Sequence, residues 1–142
     1  MRIVFVCLGN ICRSPAAEGV MRKLAPSLTL DSAGTGGWHV GDAPYGPMQE
    51  AAKARGIDLS QLRARQFKVA DFEDFDLIVA MDRQNQSDIE RLRPAGNQTK
   101  VQLLMDQDVP DPYYTRDFDG ALDIIQQGAI SLLARISRTR DL

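Results

Sequence analysis

The chain has 142 residues, 17 basic and 19 acidic side chains, and a formal net charge of −2. Its length and its 44% hydrophobic content suit one domain spanning residues 1–142, with a core that needs no metal or disulfide support. Two cysteines and one histidine exclude a disulfide-rich scaffold and a zinc site built from four cysteines, or from two cysteines with two histidines. The charge balance argues against binding nucleic acid by phosphate neutralisation.

Arg2 to Val6 is apolar and partly β-branched, the pattern of a strand buried on both faces. The apolar run stops at Gly9-Asn10 without a small-residue cleavage pattern and is too short to cross a bilayer. A cytoplasmic protein with no membrane insertion is therefore expected. A helix should follow, with Ser14 as its N-cap, Pro15 in the first turn, and Ala17, Val20, Met21 and Leu24 at helical spacing up to Pro26. Leu28 to Asp31 reads as a second strand. Residues 33–47 hold five glycines and two prolines and predict a loop. Met48 to Arg55 reads as a helix closed by Gly56.

Asp76 to Met81 predicts a third strand, and Gln84 to Leu92 a helix that Asp82 begins and Pro94 ends. Lys100 to Met105 predicts a fourth strand, and Asp106 to Arg116 a loop. In the last helix Phe118, Leu122, Ile125, Ala129, Leu132 and Ile136 form one apolar stripe. Asp117, Asp119 and Asp123 at its start, and Arg135, Arg138 and Arg140 at its end, suit the helix dipole. This order predicts a three-layer, doubly wound α/β fold: a four-stranded parallel sheet with helices on both faces. A ligand would then sit beyond the carboxyl ends of the strands, among the loops after Val6, Asp31, Met81 and Met105.

The segment Cys7-Leu8-Gly9-Asn10-Ile11-Cys12-Arg13-Ser14-Pro15 runs from strand end to helix start, where backbone N–H groups converge on an anion. It lacks the lysine and second glycine of a nucleotide-binding loop. Instead it has a cysteine first and an arginine six residues later. Curled around an oxyanion, with Gly9 and Asn10 at positive φ, the loop would stabilise a Cys7 thiolate, and Arg13 would grip two phosphate oxygens. Ser14 would hydrogen-bond the sulfur. The plain alternative is that Cys7 is a small buried hydrophobe and the spacing is chance. Cys12 reads as a core residue, a metal ligand or a disulfide partner of Cys7, and His39 as the one other soft ligand argues against the metal. For an acid, the loop after the fourth strand offers Asp106, Asp108 and Asp111, among which the sequence does not choose. Trp38, His39, Tyr113 and Tyr114 would form an aromatic rim suited to a phenyl ring.

The string VCLGNICRSPAAEG, the segment Asp31-Ser32-Ala33-Gly34-Thr35, Ala64-Arg65-Gln66, FDLIVAMD and Asp111-Pro112-Tyr113-Tyr114 resemble the bacterial low-molecular-weight protein tyrosine phosphatases across the whole chain. The resemblance implies Cys7 as nucleophile, Arg13 as phosphate ligand, Ser14 as helper of the thiolate, Asn10 as brace of the loop, Cys12 as redox partner and Asp111 as general acid. It implies hydrolysis of phosphotyrosine on proteins through a phosphocysteine, with no metal or organic cofactor and with a cognate tyrosine kinase as a further candidate partner. Two features depart from the pattern. Leu62 stands where many relatives have a histidine that braces the asparagine, and Pro44-Tyr45-Gly46-Pro47 replaces a Pro-Asp-Pro-like stretch. Ile11 resembles the tyrosine-directed members, where a threonine would suggest the arginine-phosphate branch. An arsenate reductase would need more cysteines than Cys7 and Cys12, a phosphotransfer carrier would not hydrolyse its phosphocysteine, and a phosphate-binding module would bind without turnover.

Overall fold

The computed structural model describes residues 1–139. Its elements are β1 (Arg2–Cys7), α1 (Arg13–Leu24), β2 (Thr29–Gly34), α2 (Gly46–Lys53), α3 (Asp71–Asp74), β3 (Leu77–Ala80), α4 (Arg83–Glu90), β4 (Lys100–Leu103), α5 (Pro112–Thr115) and α6 (Phe118–Thr139). The four strands are parallel, in the order β2-β1-β3-β4. The apolar run that opens the sequence is thus a central strand, paired on both edges and covered on both faces. Its side chains alternate. Ile3, Phe5 and Cys7 enter one core, shared with α1 and α6, while Val4 and Val6 enter a second with Phe67, Phe72 and Ile89. This is the three-layer α/β arrangement the element order predicts.

The stripe on α6 packs as its spacing requires. Leu122, Ile125, Ala129 and Leu132 are fully buried, Ile136 nearly so and Phe118 in part. Each large aliphatic side chain among them contributes about 1.5–3 kcal/mol through burial. Arg140, grouped with Arg135 and Arg138 at the end of this helix, lies outside the described residues. Among those residues, no helix is long and apolar enough to cross a membrane.

Four local expectations need correction. β2 runs on to Gly34 because β1 offers a continuous ladder, pairing Cys7 with Gly34. Ser32-Ala33-Gly34 has little strand propensity of its own, so this extension is set by tertiary pairing. Ser14 is not the N-cap of α1: Cys12 holds that position without a side-chain bond, and Ser14 sits in the first turn. α2 begins at Gly46, ahead of Met48. Finally, the loop after β4 contains the four-residue helix α5, capped by the Asp111 carboxylate, which accepts the Tyr113 N–H at 3.1 Å. Asp82 does begin α4, accepting the Asn85 N–H at 2.7 Å. Gly56 closes the turn after α2 with φ 78°.

The strand order places the functional loops. From β1 the chain crosses to β2 on one side, and β3 lies on the other. The loops leaving the carboxyl ends of β1 and β3 therefore part, and the crevice between them is where ligands bind in such sheets.

Candidate active site

The loop from Cys7 to Arg13 is held from outside by its carbonyls. Cys7 O accepts the Thr35 N–H at 2.9 Å, Leu8 O the Gly36 N–H at 2.9 Å, and Ile11 O the Tyr45 N–H at 2.8 Å. In a planar trans peptide the N–H points opposite to the carbonyl. The N–H groups of Leu8, Gly9 and Cys12 are thereby turned away from these anchors. Gly34 permits the close passage: a Cβ there would lie 2.8 Å from Leu8 O. Of the two loop residues expected at positive φ, only Asn10 adopts it, at 57°. Gly9 instead lies close to His39, where a Cβ would come within 3.2 Å of the ring.

Cys7 ends β1 buried, its sulfur 3.3 Å from the Asn10 N–H and 3.0 Å from Ser14 Oγ. The Asn10 side-chain amide donates to Ser14 Oγ at 2.8 Å and to Ser32 Oγ at 3.0 Å, and Asn10 Oδ1 accepts the Arg65 N–H at 2.9 Å. Ser32 in turn donates to the buried Glu18 carboxylate at 2.8 Å. Both cysteines are free thiols. Burial, then the neighbouring Cys7 and Asp111, push the Cys12 thiol up to about 12 against the pull of Arg13 and Arg116, so Cys12 rests protonated.

Arg13 is 3% exposed, a charge buried in the first turn of α1. Its Nη1 donates to Asp82 at 2.7 Å and to Val109 O at 2.9 Å, and its Nη2 lies 3.5 Å from the Asp111 carboxylate. Burial opposes its charge, but Cys7, Asp82 and Asp111 more than offset this and leave its pKa above the ordinary arginine value. Its buried Nε has no partner among the described residues, a donor that an anion in the loop can satisfy.

A cleft of about 260 Å³ opens over the loop. Cys7, Leu8, Gly9, Ile11, Cys12 and Asp111 line it, with Trp38, His39, Tyr113 and Tyr114 as its aromatic walls. The rings of Tyr113 and Tyr114 meet edge to face at 5.3 Å, and His39 Nδ1 lies 3.2 Å from Asp42. Among the three candidate acids only Asp111 borders this cleft; Asp108 is turned to the Arg83 N–H at 3.0 Å, and the exposed Asp106 contributes a carbonyl to Arg83. Among the described residues, no group of three or more His, Cys, Asp or Glu could hold a metal ion.

The family model for the low-molecular-weight phosphotyrosine protein phosphatases matches residues 2–142. The chain belongs to that family. It is 40% identical to the low-molecular-weight protein-tyrosine-phosphatase YfkJ of Bacillus subtilis, over 99% of this chain and 98% of that one. It is 35% identical to the protein-tyrosine-phosphatase PtpA of Staphylococcus aureus, over 99% and 96%. The crystal structure of YfkJ superposes with a TM-score of 0.93 at 39% identity, covering 98% of this chain and 96% of the other. The structure of a Drosophila arginine phosphatase, DARP, matches with a TM-score of 0.90 at 31% identity, covering 96% and 98%.

In this phosphatase the brace of Asn10 does not come from position 62, where Leu62 packs against the core. Ser32 and the Arg65 backbone supply it. Arg65 is fixed in turn by Asp31 at 3.0 Å and by the buried Asp71 at 3.0 and 3.1 Å. Glu18, Ser32 and Arg65 were not distinguishable as site residues in the sequence, because Ser32 and Arg65 reach Asn10 from β2 and a distant loop, and Glu18 acts from α1 only through Ser32. Asp82 carried a signal: a carboxylate just past the carboxyl end of β3 stands where such sheets place their ligand loops.

Proposed function

We propose that this tyrosine phosphatase hydrolyses phosphotyrosine on proteins, and aryl phosphates, by two-step phosphoryl transfer through Cys7, with residues 1–142 acting as one catalytic domain. The observation that carries the reading is the placement of the Cys7 sulfur at the floor of an aromatic-walled cleft, with Asp111 on its wall and the buried Arg13 beside it. Cys7 attacks phosphorus in line while Asp111 protonates the phenolic oxygen. The phosphocysteine is then hydrolysed by a water that ionised Asp111 activates. Arg13 and the loop N–H groups hold the equatorial oxygens, where transition-state charge gathers. The Ser14 hydroxyl and the Asn10 N–H serve the sulfur as it leaves. None of these steps requires a metal or organic cofactor.

Cys12, protonated at rest, stands as the thiol that captures an oxidised Cys7 as a disulfide. A reducing cytoplasm suits an enzyme that depends on a free Cys7, and a tyrosine kinase that makes the substrate is its natural counterpart.

Steady-state hydrolysis of matched phosphotyrosine and phosphoserine peptides, alongside phosphoarginine, tests the reading. The aromatic walls and Ile11 at the cleft floor favour a flat ring, so kcat/KM for phosphotyrosine should lead by at least about 100-fold. Preference for phosphoarginine, or binding of all three without turnover, would overturn it.

A further inference from the structure

Arg116 and Asn10 are the two non-glycine residues with positive φ among the described residues, Arg116 at 65°. Arg116 closes α5 in the left-handed region, its N–H bonded to Pro112 O at 2.8 Å. Glycine or asparagine fills such a position without the steric penalty that arginine meets. The backbone role therefore does not explain the side chain.

The side chain is fixed. Its guanidinium carbon lies 5.3 Å from the centre of the Tyr45 ring and 5.2 Å from that of Phe118. Nη1 donates to Tyr45 Oη at 3.2 Å and to the Tyr113 carbonyl at 3.4 Å. Yet Arg116 is exposed and makes no ion pair among the described residues. The acids beside it in sequence are engaged elsewhere: Asp117 accepts the Gly120 N–H at 2.9 Å, and Asp119 pairs with Arg55 at 3.3 Å. Both anchors of the guanidinium belong to the cleft wall or its support. Tyr113 lines the cleft, and Tyr45 is bonded through its N–H to Ile11 of the phosphate loop. Its charge is also felt by Cys12 inside that loop.

We propose that Arg116 is a specificity-determining residue that binds a carboxylate side chain flanking the phosphotyrosine, so that the enzyme prefers acidic peptides. This rests on the phosphotyrosine reading above. A stacked guanidinium presents its remaining donors as a pre-oriented fork matched to a carboxylate, and two aromatic faces and a hydroxyl hold it without neutralising it.

The test compares two phosphotyrosine peptides that differ only in carrying Asp and Glu, or Asn and Gln, beside the phosphorylated residue. The parent enzyme should favour the acidic peptide by about fivefold in kcat/KM, the scale of one well-oriented exposed ion pair, and the ratio should shrink as salt is raised. In Arg116→Asn, which fits the left-handed backbone, the ratio should fall to about one, and in Arg116→Glu it should invert. An equal ratio in the parent, or a preference unchanged in both variants, would overturn the proposal and leave the phosphotyrosine reading standing. Failure of the parent to hydrolyse either peptide would instead bring down both.

Discussion

The Ser14 hydroxyl lies 3.0 Å from the Cys7 sulfur while accepting the Asn10 side-chain amide at 2.8 Å. With one lone pair taken by that amide, its single proton goes either to the sulfur or to Ala33 O, the latter 3.3 Å away. When Cys7 is ionised, the shorter and charge-assisted path wins. Of the two places the sequence offered Ser14, helix cap and partner of the sulfur, it takes the second, and the cap position falls to Cys12 without a side-chain bond.

Ser32 supports this geometry from β2. In Ser32→Ala the Asn10 amide loses one acceptor and the buried Glu18 carboxylate loses a donor. Unmet buried groups of this kind cost about 1–3 kcal/mol, so urea denaturation should show a loss in that range. Turnover should fall as well, since the Asn10 side chain that bonds Ser14 is then anchored only by the Arg65 N–H.

Arg13→Lys keeps the charge but loses the planar fork that spans Asp82, Val109 O and the phosphate site. Removing one oriented donor to a transition state lowers kcat by about 100- to 1000-fold. Steady-state kinetics on an aryl phosphate should show at least that loss, accompanied by weaker vanadate inhibition.

Asp111→Asn should depend on the leaving group. General acid catalysis contributes about 100- to 10,000-fold when the departing oxygen needs a proton. Phenyl phosphate should therefore suffer most and nitrophenyl phosphate least, and a plot of log kcat against leaving-group pKa should steepen.

The backbone frame was legible in the sequence because its signals are local: a doubly buried strand, an apolar stripe on α6, and turn residues between them. The Cys-to-Arg loop was legible for the same reason, being one continuous segment. The surroundings were not. Ser32 and Arg65 meet Asn10 across 22 and 55 residues of chain, brought there by the register of β2 on β1 and by the bridge between Gly34 and Gln66. α3 and α5, at four residues each, are too short to show a period. The residues alone did not separate Asp111 from Asp106 and Asp108; the family resemblance singled it out, and the structure brings it to within 3.5 Å of Arg13.

Glu18 predicts a pH effect on stability. Burial raises its pKa above the ordinary glutamate value, and the bonds from Ser32 and Arg22 offset this only in part. Between the unfolded and folded pKa values the native chain holds the extra proton, so this contribution is full below the unfolded value and is lost as pH rises through the folded one. Denaturation of the parent and Glu18→Gln across about pH 4 to 8 should show their stability difference drifting against the parent as pH rises. A difference independent of pH would place the Glu18 titration outside the stability of the fold.

The chemistry proposed for Cys7 passes through a phosphocysteine, which can be trapped. Acid quench during turnover of an aryl phosphate, followed by peptide mass spectrometry, should find phosphate on the peptide carrying Cys7. The adduct should be absent in Cys7→Ser, which should still bind vanadate or phosphate but not turn over. Phosphate on another residue, or Cys7→Ser turning over at the parental rate, would contradict the account.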